Sequence, residues 1–489
     1  MIGRLNKDFI TLTLGRIIQV AILLISIKIS TALLSPDEVG NLYVIVTLTG
    51  FFTLFFINPI GQYINRKSHE WHLSGVILNK LSLFLGYVLL STLISLSFIL
   101  LLPLLGIARS INQTMLAIFV PLFVLFNTIN QTVIPLFNIL GKQLTFTVFT
   151  ALSSILALLC SYLTITSMKM TGIFWIAGQV LGIGVMGVIA SIFFIMRISN
   201  RFNYKESIQD ISIKNIKEVA YFSTPLALGV FFLWLQGQSY RLLIEQYINI
   251  EFLGFFGIGM SIAMSISSSF ESVIMQWLYP VLYKSMTDQK IFSKTFTETI
   301  NTILPIYLFL AICVTFLSAY LVEIIVGPQY KQSSIFLIFG IWVEFFRMSS
   351  NLLSIAAHSK MNTRVLFTPY FIGGIGVLIG VYLAAHSDQY RVLIPLVLLI
   401  AGGTSSAVML LKIKKLIRLK FRIKGFSTLI LLSLFFPSAL FFSTHSDNML
   451  ASLSIVFIYG LYFLSALLAF LLRKDNKEFL LITRMKTSL

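Results

Sequence analysis

Charged side chains lie inside long apolar stretches of this 489-residue chain, and the types and spacing of seven of them set the chemistry it can do. Arg16 and Lys28 fall in the first stretch, Arg241 and Glu245 in the seventh, Glu271 in the eighth, and Glu344 and Arg347 in the tenth. A charge at hydrocarbon depth costs about 2.5–3.5 kcal/mol even on the lower scales, so it persists where it meets a polar interior or a partner. Arginine forks onto phosphate or carboxylate oxygens. A desolvated carboxylate can take up a proton or a sodium ion. Basic groups outnumber acidic ones at these depths, which suits an anionic cargo and predicts a transporter. Arg16, Lys28, Arg241 and Arg347 are the candidate substrate ligands; Glu245, Glu271 and Glu344 are the candidate ion-coupling acids.

Spacing refines these assignments. Arg16 sits about eight residues into its span, about 12 Å deep at helical rise, whereas Lys28 is near the outer end and can snorkel outward. Arg241 and Glu245 are spaced i,i+4, and Glu344 and Arg347 i,i+3, so each couple can instead close an intrahelical ion pair. Glu271 has no such partner and stands among Ser265, Ser267, Ser268, Ser269 and Ser272. In the fourth span Asn127, Gln131 and Asn138 share one helix face, with Asn130 beside them and Pro121 and Pro135 as bends. Their amides can hold sugar hydroxyls or serve as interhelical hydrogen-bonding glue.

The elements that must carry these groups are membrane helices. The chain is 57% hydrophobic and 11% charged with a mean hydropathy of +0.91, so the bilayer is its solvent. About fourteen segments reach the roughly 20 apolar residues that a span needs: 8–34, 40–61, 76–103, 114–139, 144–167, 171–196, 219–247, 254–283, 300–325, 334–358, 364–386, 390–411, 426–445 and 449–472. The fallback count is twelve, without the last two. This is an all-α polytopic membrane protein. It divides into a six-helix lobe (1–196), a basic linker (197–218), a second six-helix lobe (219–411), a basic loop (412–425), two extra spans (426–472) and a tail (473–489).

The halves echo each other. Leu34-Ser-Pro-Asp-Glu-Val-Gly40 between spans one and two matches Ile248-Asn-Ile-Glu-Phe-Leu-Gly254 between spans seven and eight. Gly141-Lys142-Gln-Leu-Thr145 matches Ser359-Lys360-Met-Asn-Thr363 in the same way. Six spans per half give both halves one orientation, a parallel duplication.

The net charge of +18 has a direction. With the N-terminus inside, the inner segments hold 27 of the 36 Lys and Arg against nine acids, and the outer loops hold four against six. That is the positive-inside bias of a membrane protein with both termini cytoplasmic, not a nucleic-acid-binding surface. The 412–424 run is either a topology determinant or a contact for anionic lipid. The first span is too long, and lacks the small-residue pattern, to be a removable signal. Two distant cysteines and five scattered histidines offer no disulfide framework or metal site. The sequence contains no P-loop and no paired outer-loop acids, so neither a cofactor nor an enzymatic activity is expected.

The pattern resembles the multidrug/oligosaccharidyl-lipid/polysaccharide exporter superfamily, and within it the Wzx-type polysaccharide flippases. The long first span with Arg16 closing in Leu34–Gly40, Gly61-Gln-Tyr-Ile-Asn65-Arg66 after span two, and Gly327-Pro-Gln-Tyr330 before span ten carry the resemblance. The family's acidic-basic dipeptide in span seven is Tyr240-Arg241 here. The resemblance implies two pseudo-symmetric six-helix lobes around a central cavity, and alternating access across a bacterial inner membrane. Its implied cargo is an undecaprenyl-diphosphate-linked oligosaccharide, such as an O-antigen or other lipopolysaccharide or surface-polysaccharide repeat unit, carried from the inner to the outer leaflet. It further implies coupling to H+ or Na+, membrane lipids as surroundings, a groove for the lipid tail on the extra spans, and polymerase and chain-length assembly partners. A drug/cation antiporter of the same superfamily is the alternative, and an integral-membrane glycosyltransferase or polymerase a more distant one.

Overall fold

Among the described residues of the computed structural model, fourteen helices are long and apolar enough to cross a bilayer, which agrees with the larger of the two span counts. The structure describes residues 2–198, 202, 203, 205, 207, 213–286, 288–360, 362, 364–442 and 449–473, and these contain no strand. The helices are α1 (Ile2–Leu33), α2 (Pro36–Phe51), α3 (Asn58–Leu73), α4 (Ile77–Leu105), α5 (Gln113–Ile139), α6 (Gln143–Ser167), α7 (Gly172–Arg197) and α8 (Ile213–Gln238). They continue as α9 (Tyr240–Tyr247), α10 (Ile250–Ser285), α11 (Gln289–Ile325), α12 (Ser333–Ser359), α13 (Arg364–Ala385), α14 (Tyr390–Leu416), α15 (Ile423–Ser433) and α16 (Met449–Leu471). Contacts divide the chain into two compact units, 1–254 and 255–489. The first unit reaches past the 197–218 linker because α8 packs on α3.

In the first unit the Leu34–Gly40 motif does local work. Ser35 is extended at the N-cap of α2, Pro36 supplies the preset φ of the first turn, and Asp37 and Glu38 face the positive end of the helix dipole. The Glu38 carboxylate also accepts the Gly172 N–H, at 2.8 Å, at the start of α7. Apolar length alone predicts a stop near residue 61, but the helix runs on to Leu73. Six π-helical residues, Phe52–Ile57, join α2 to α3. Helices α6 and α7 approach closely. A Cβ on Gly178 would lie 2.3 Å from the Ser161 Cα, and one on Gly182 2.5 Å from the Ala157 Cα. This is the small-residue spacing that lets membrane helices pack backbone to backbone.

The two echoing motifs meet. A Cβ on Gly40 would stand 2.1 Å from the carbonyl oxygen of Ile250, and one on Gly254 would stand 2.1 Å from that of Pro36. Each partner is the other's counterpart in the repeat, so the contact is reciprocal, like an isologous interface within one chain.

In the second unit α10 and α12 run parallel. Gly259 packs on Phe336, and Gly340 on Ala263, both as close backbone approaches. The shared offset of 77 residues fixes the register that brings Glu271 beside Arg347. The Gly327-Pro-Gln-Tyr330 motif forms a 3-10 turn, Pro328–Tyr330. Tyr330 is fully buried there, its ring 5.6 Å from that of Phe255.

Candidate functional site

Among the described residues, each unit holds a buried centre of charge. In the second unit Arg347 bridges two acids: its Nη1 donates to Glu271 at 2.8 Å and its Nε to Glu344 at 2.6 Å. Asn351, one turn beyond Arg347, donates to the other Glu271 oxygen at 3.1 Å. Glu271 and Glu344 are buried. Two carboxylates against one guanidinium leave one formal negative charge at the centre. Two groups remain unsatisfied around it: Arg347 Nη2 and the hydroxyl of the fully buried Tyr307 have no hydrogen-bond partner. Tyr307 lies within electrostatic reach of both Glu271 and Arg347.

The expected Glu344–Arg347 couple is present, but Glu271 is paired through α12 rather than left among its serines. Ser265, Ser268 and Ser269 donate to carbonyls of their own helix. That is the ordinary fate of serine in a helix interior. Asn351 and Tyr307 are the members the sequence reading missed. The signal for Asn351 was its spacing, since positions 344, 347 and 351 follow i, i+3, i+7 on one face.

In the first unit Arg241 is only 4% exposed. Its Nη1 donates to Gln238 at 3.0 Å and its Nε to the Tyr240 hydroxyl at 3.3 Å. Its guanidinium lies 5.0 Å from the centre of the Tyr43 ring and 5.6 Å from that of Tyr240. Among the described residues it meets no carboxylate within salt-bridge distance. The expected i,i+4 partner, Glu245, instead faces the Ala108 and Arg109 backbone amides and the Arg109 charge. Ala108 there has a positive φ of 57°, so Glu245 braces a strained turn. Neutral dipoles and aromatic faces thus hold a cation that keeps its net charge.

The remaining candidates are dispersed. Arg16 is half-buried, its Nη1 donating to Gln19 at 3.0 Å while its Nε has no partner. Lys28 is half-buried on α1. Asn127, Gln131 and Asn138 share the predicted face of α5, yet the interhelical bond is made by their neighbour Asn130, which donates to Ser153 at 2.8 Å. The first unit also contains an apolar cleft of about 760 Å³ between α3, α4 and α8. Phe55, Phe56, Trp71, Phe84, Tyr87 and Leu228 line it, with Lys67, Lys80 and Glu218.

With this geometry in view, comparisons place the chain. A family model described as polysaccharide biosynthesis protein matches residues 31–335, well over half of the chain. No curated protein sequence matches it. Among solved structures, the lipid II flippase MurJ in an inward closed conformation superposes with a TM-score of 0.71 at 17% identity, covering 95% of this chain and 98% of that one. The Vibrio cholerae MATE transporter VcmN, in a mutant form, gives 0.55 at 14% identity, covering 85% and 98%. An inward-facing multidrug resistance MATE family transporter of the MOP superfamily gives 0.54 at 11%, covering 83% and 95%. These solved structures are of a flippase and of transporters. The chain belongs to the polysaccharide biosynthesis protein family and has the multi-pass fold of the exporter superfamily that its motifs resemble.

Proposed function

We propose that this protein flips a polyprenyl-diphosphate-linked oligosaccharide, such as an O-antigen or other surface-polysaccharide repeat unit, from the inner to the outer leaflet of a bacterial inner membrane. One observation carries the reading: Arg241, buried without a carboxylate, is a retained cation with its guanidinium framed by neutral groups. Keeping such a charge unpaired is costly unless something anionic visits it. A diphosphate is the fitting visitor, because guanidinium and phosphate oxygens form short charge-assisted bonds. Arg16, with an unsatisfied Nε, supports a second contact on the way through. The aromatic cleft with Lys67 and Lys80 is chemically suited to a polyprenyl chain whose phosphates stay near the rim.

The Glu271–Arg347–Glu344 centre supports ion coupling. Its surplus negative charge would be neutralised by a proton or a sodium ion, which would free Arg347 from one of its acids. That same surplus favours the second reading, a drug/cation antiporter, in which the acids would meet a cationic cargo.

Reconstitution in liposomes separates the two. A labelled polyprenyl-diphosphate oligosaccharide should become accessible at the far leaflet in a protein-dependent way, faster with an imposed H+ or Na+ gradient. Arg241→Ala should slow this about 10- to 100-fold, the loss of one or two charge-assisted bonds of about 1.5–3 kcal/mol in all. Arg241→Lys should fall between, and the outer-loop control Lys331→Ala should match the unaltered protein. Efflux of organic cations with no movement of the diphosphate lipid would replace the flippase reading by the antiporter.

A further inference from the structure

A basic cavity of about 570 Å³ opens in the second unit between the start of α11, the end of α14 and the linker to α15. Lys290, Lys294, Lys360, Arg418, Lys420 and Arg422 line it against a single acid, Glu298. Glu298 is already committed: both of its oxygens accept from the Arg422 guanidinium. The nearby Asp288 turns away, accepting the Lys290 and Ile291 N–H groups as the N-cap of α11. Lys290, Lys360, Arg418 and Lys420 therefore converge on one concavity whose described lining has no second carboxylate.

The cavity is built rather than incidental. The Asn301 side chain donates to the Lys420 carbonyl at 2.8 Å and accepts the Arg422 N–H at 2.9 Å. These two bonds pin the α14–α15 linker onto α11. The Lys414 ammonium stacks over the Phe421 ring at 5.2 Å, tying the linker to the last turn of α14. Like charges held this close by fixed backbone repel one another, and a counter-ion with several negative charges relieves that cost. Height along the membrane names the source of that anion. The apolar stretch of α11 begins near Ile300, so Glu298 and Lys294 lie about 3 and 9 Å beyond it at helical rise. The headgroup layer extends roughly 5–7 Å beyond the hydrocarbon on each side. The cavity thus spans the depth at which lipid phosphates reside.

We propose that this cavity is a binding site for the headgroup of an anionic membrane phospholipid, best one carrying two phosphates. The lysines act as point charges and Arg418 as a fork, while the Glu298–Arg422 pair shapes the wall. The site stands apart from the cargo reading and does not depend on it.

Native mass spectrometry of the full chain in detergent, titrated with cardiolipin or phosphatidylcholine, tests the assignment. Cardiolipin should bind at least about 10-fold more tightly, and the preference should weaken as salt rises. The triple variant Lys294→Gln, Arg418→Gln, Lys420→Gln alters three exposed side chains and leaves Asn301, Glu298 and Arg422 intact. It should lose most of the preference. Arg66→Gln with Lys142→Gln and Arg197→Gln removes the same charge elsewhere and should keep it. Lys420→Gln alone should cost a few-fold, which preserves the test should the triple variant fold poorly. Unchanged cardiolipin binding in both the triple and single variants would overturn the proposal. So would an equal loss in the Arg66, Lys142 and Arg197 control, or displacement of the lipid by an equimolar amount of inorganic pyrophosphate at matched ionic strength, which would assign the cavity to a soluble anion.

Discussion

Arg347→Ala is expected to destabilise the second unit more than any other single change to a charged residue and to abolish transport. The substitution strands Glu271 and Glu344, both buried, beside each other with no cation between them. Removing one member of a buried ionic group costs about 3–5 kcal/mol, because the remaining charges stay desolvated. For a unit of this size that corresponds to a fall in melting temperature of about 6–20 °C. Fluorescence-detected melting in detergent reads the stability directly. Adding Glu271→Gln and Glu344→Gln to Arg347→Ala should recover much of the melting temperature, since a neutral set no longer needs the arginine. Transport should not return with it. An Arg347→Ala protein that melts with the unaltered one would mean that the acids are already neutral or solvated.

Gly254→Ala should be nearly as damaging, for a steric reason. Its new methyl would fall 2.1 Å from the Pro36 carbonyl oxygen, closer than any such contact is tolerated, and the obstacle is backbone that cannot rotate away. Overpacking of this kind costs about 1–3 kcal/mol. Gly40→Ala meets the Ile250 carbonyl at the same distance and should behave alike. Because both act on one crossing, the double variant should lose less than the sum of the singles. Gly61→Ala is the control: a Cβ there meets nothing within 4 Å. In the α3 interior it should raise stability by up to about 1 kcal/mol through helix propensity. Equal melting temperatures for Gly254→Ala and Gly61→Ala would rule out the close crossing.

Much of this architecture was legible in the residues, and the reasons differ by element. Spans are readable because the bilayer imposes one length and one solvent on every helix. The polar runs 61–73 and 289–299 were not, since nothing in apolar counting marks a helix that continues into water. The Glu344–Arg347 pair follows from helical periodicity alone. The Glu271–Arg347 pair does not, because it depends on the register of α10 against α12, which Gly259 and Gly340 determine through packing. Arg241 shows the reverse. Spacing offered it Glu245, but the turn at Ala108–Arg109 competes for that acid and leaves the arginine to tyrosines and glutamine. The motifs read as signs of duplication, Leu34–Gly40 and Ile248–Gly254, also turned out to touch each other, which similarity by itself never implies.

The π segment at Phe52–Ile57 carries one consequence for how this chain can change. A π turn accommodates an extra residue relative to ordinary winding. Loss of one residue there would let the backbone relax into regular α-helix while the helix beyond keeps nearly the same face. Tyr63 would still face Glu218, which accepts its hydroxyl at 3.0 Å. At this spot, unlike elsewhere along the helix, the gene can shed one codon and leave the far end pointing where it did.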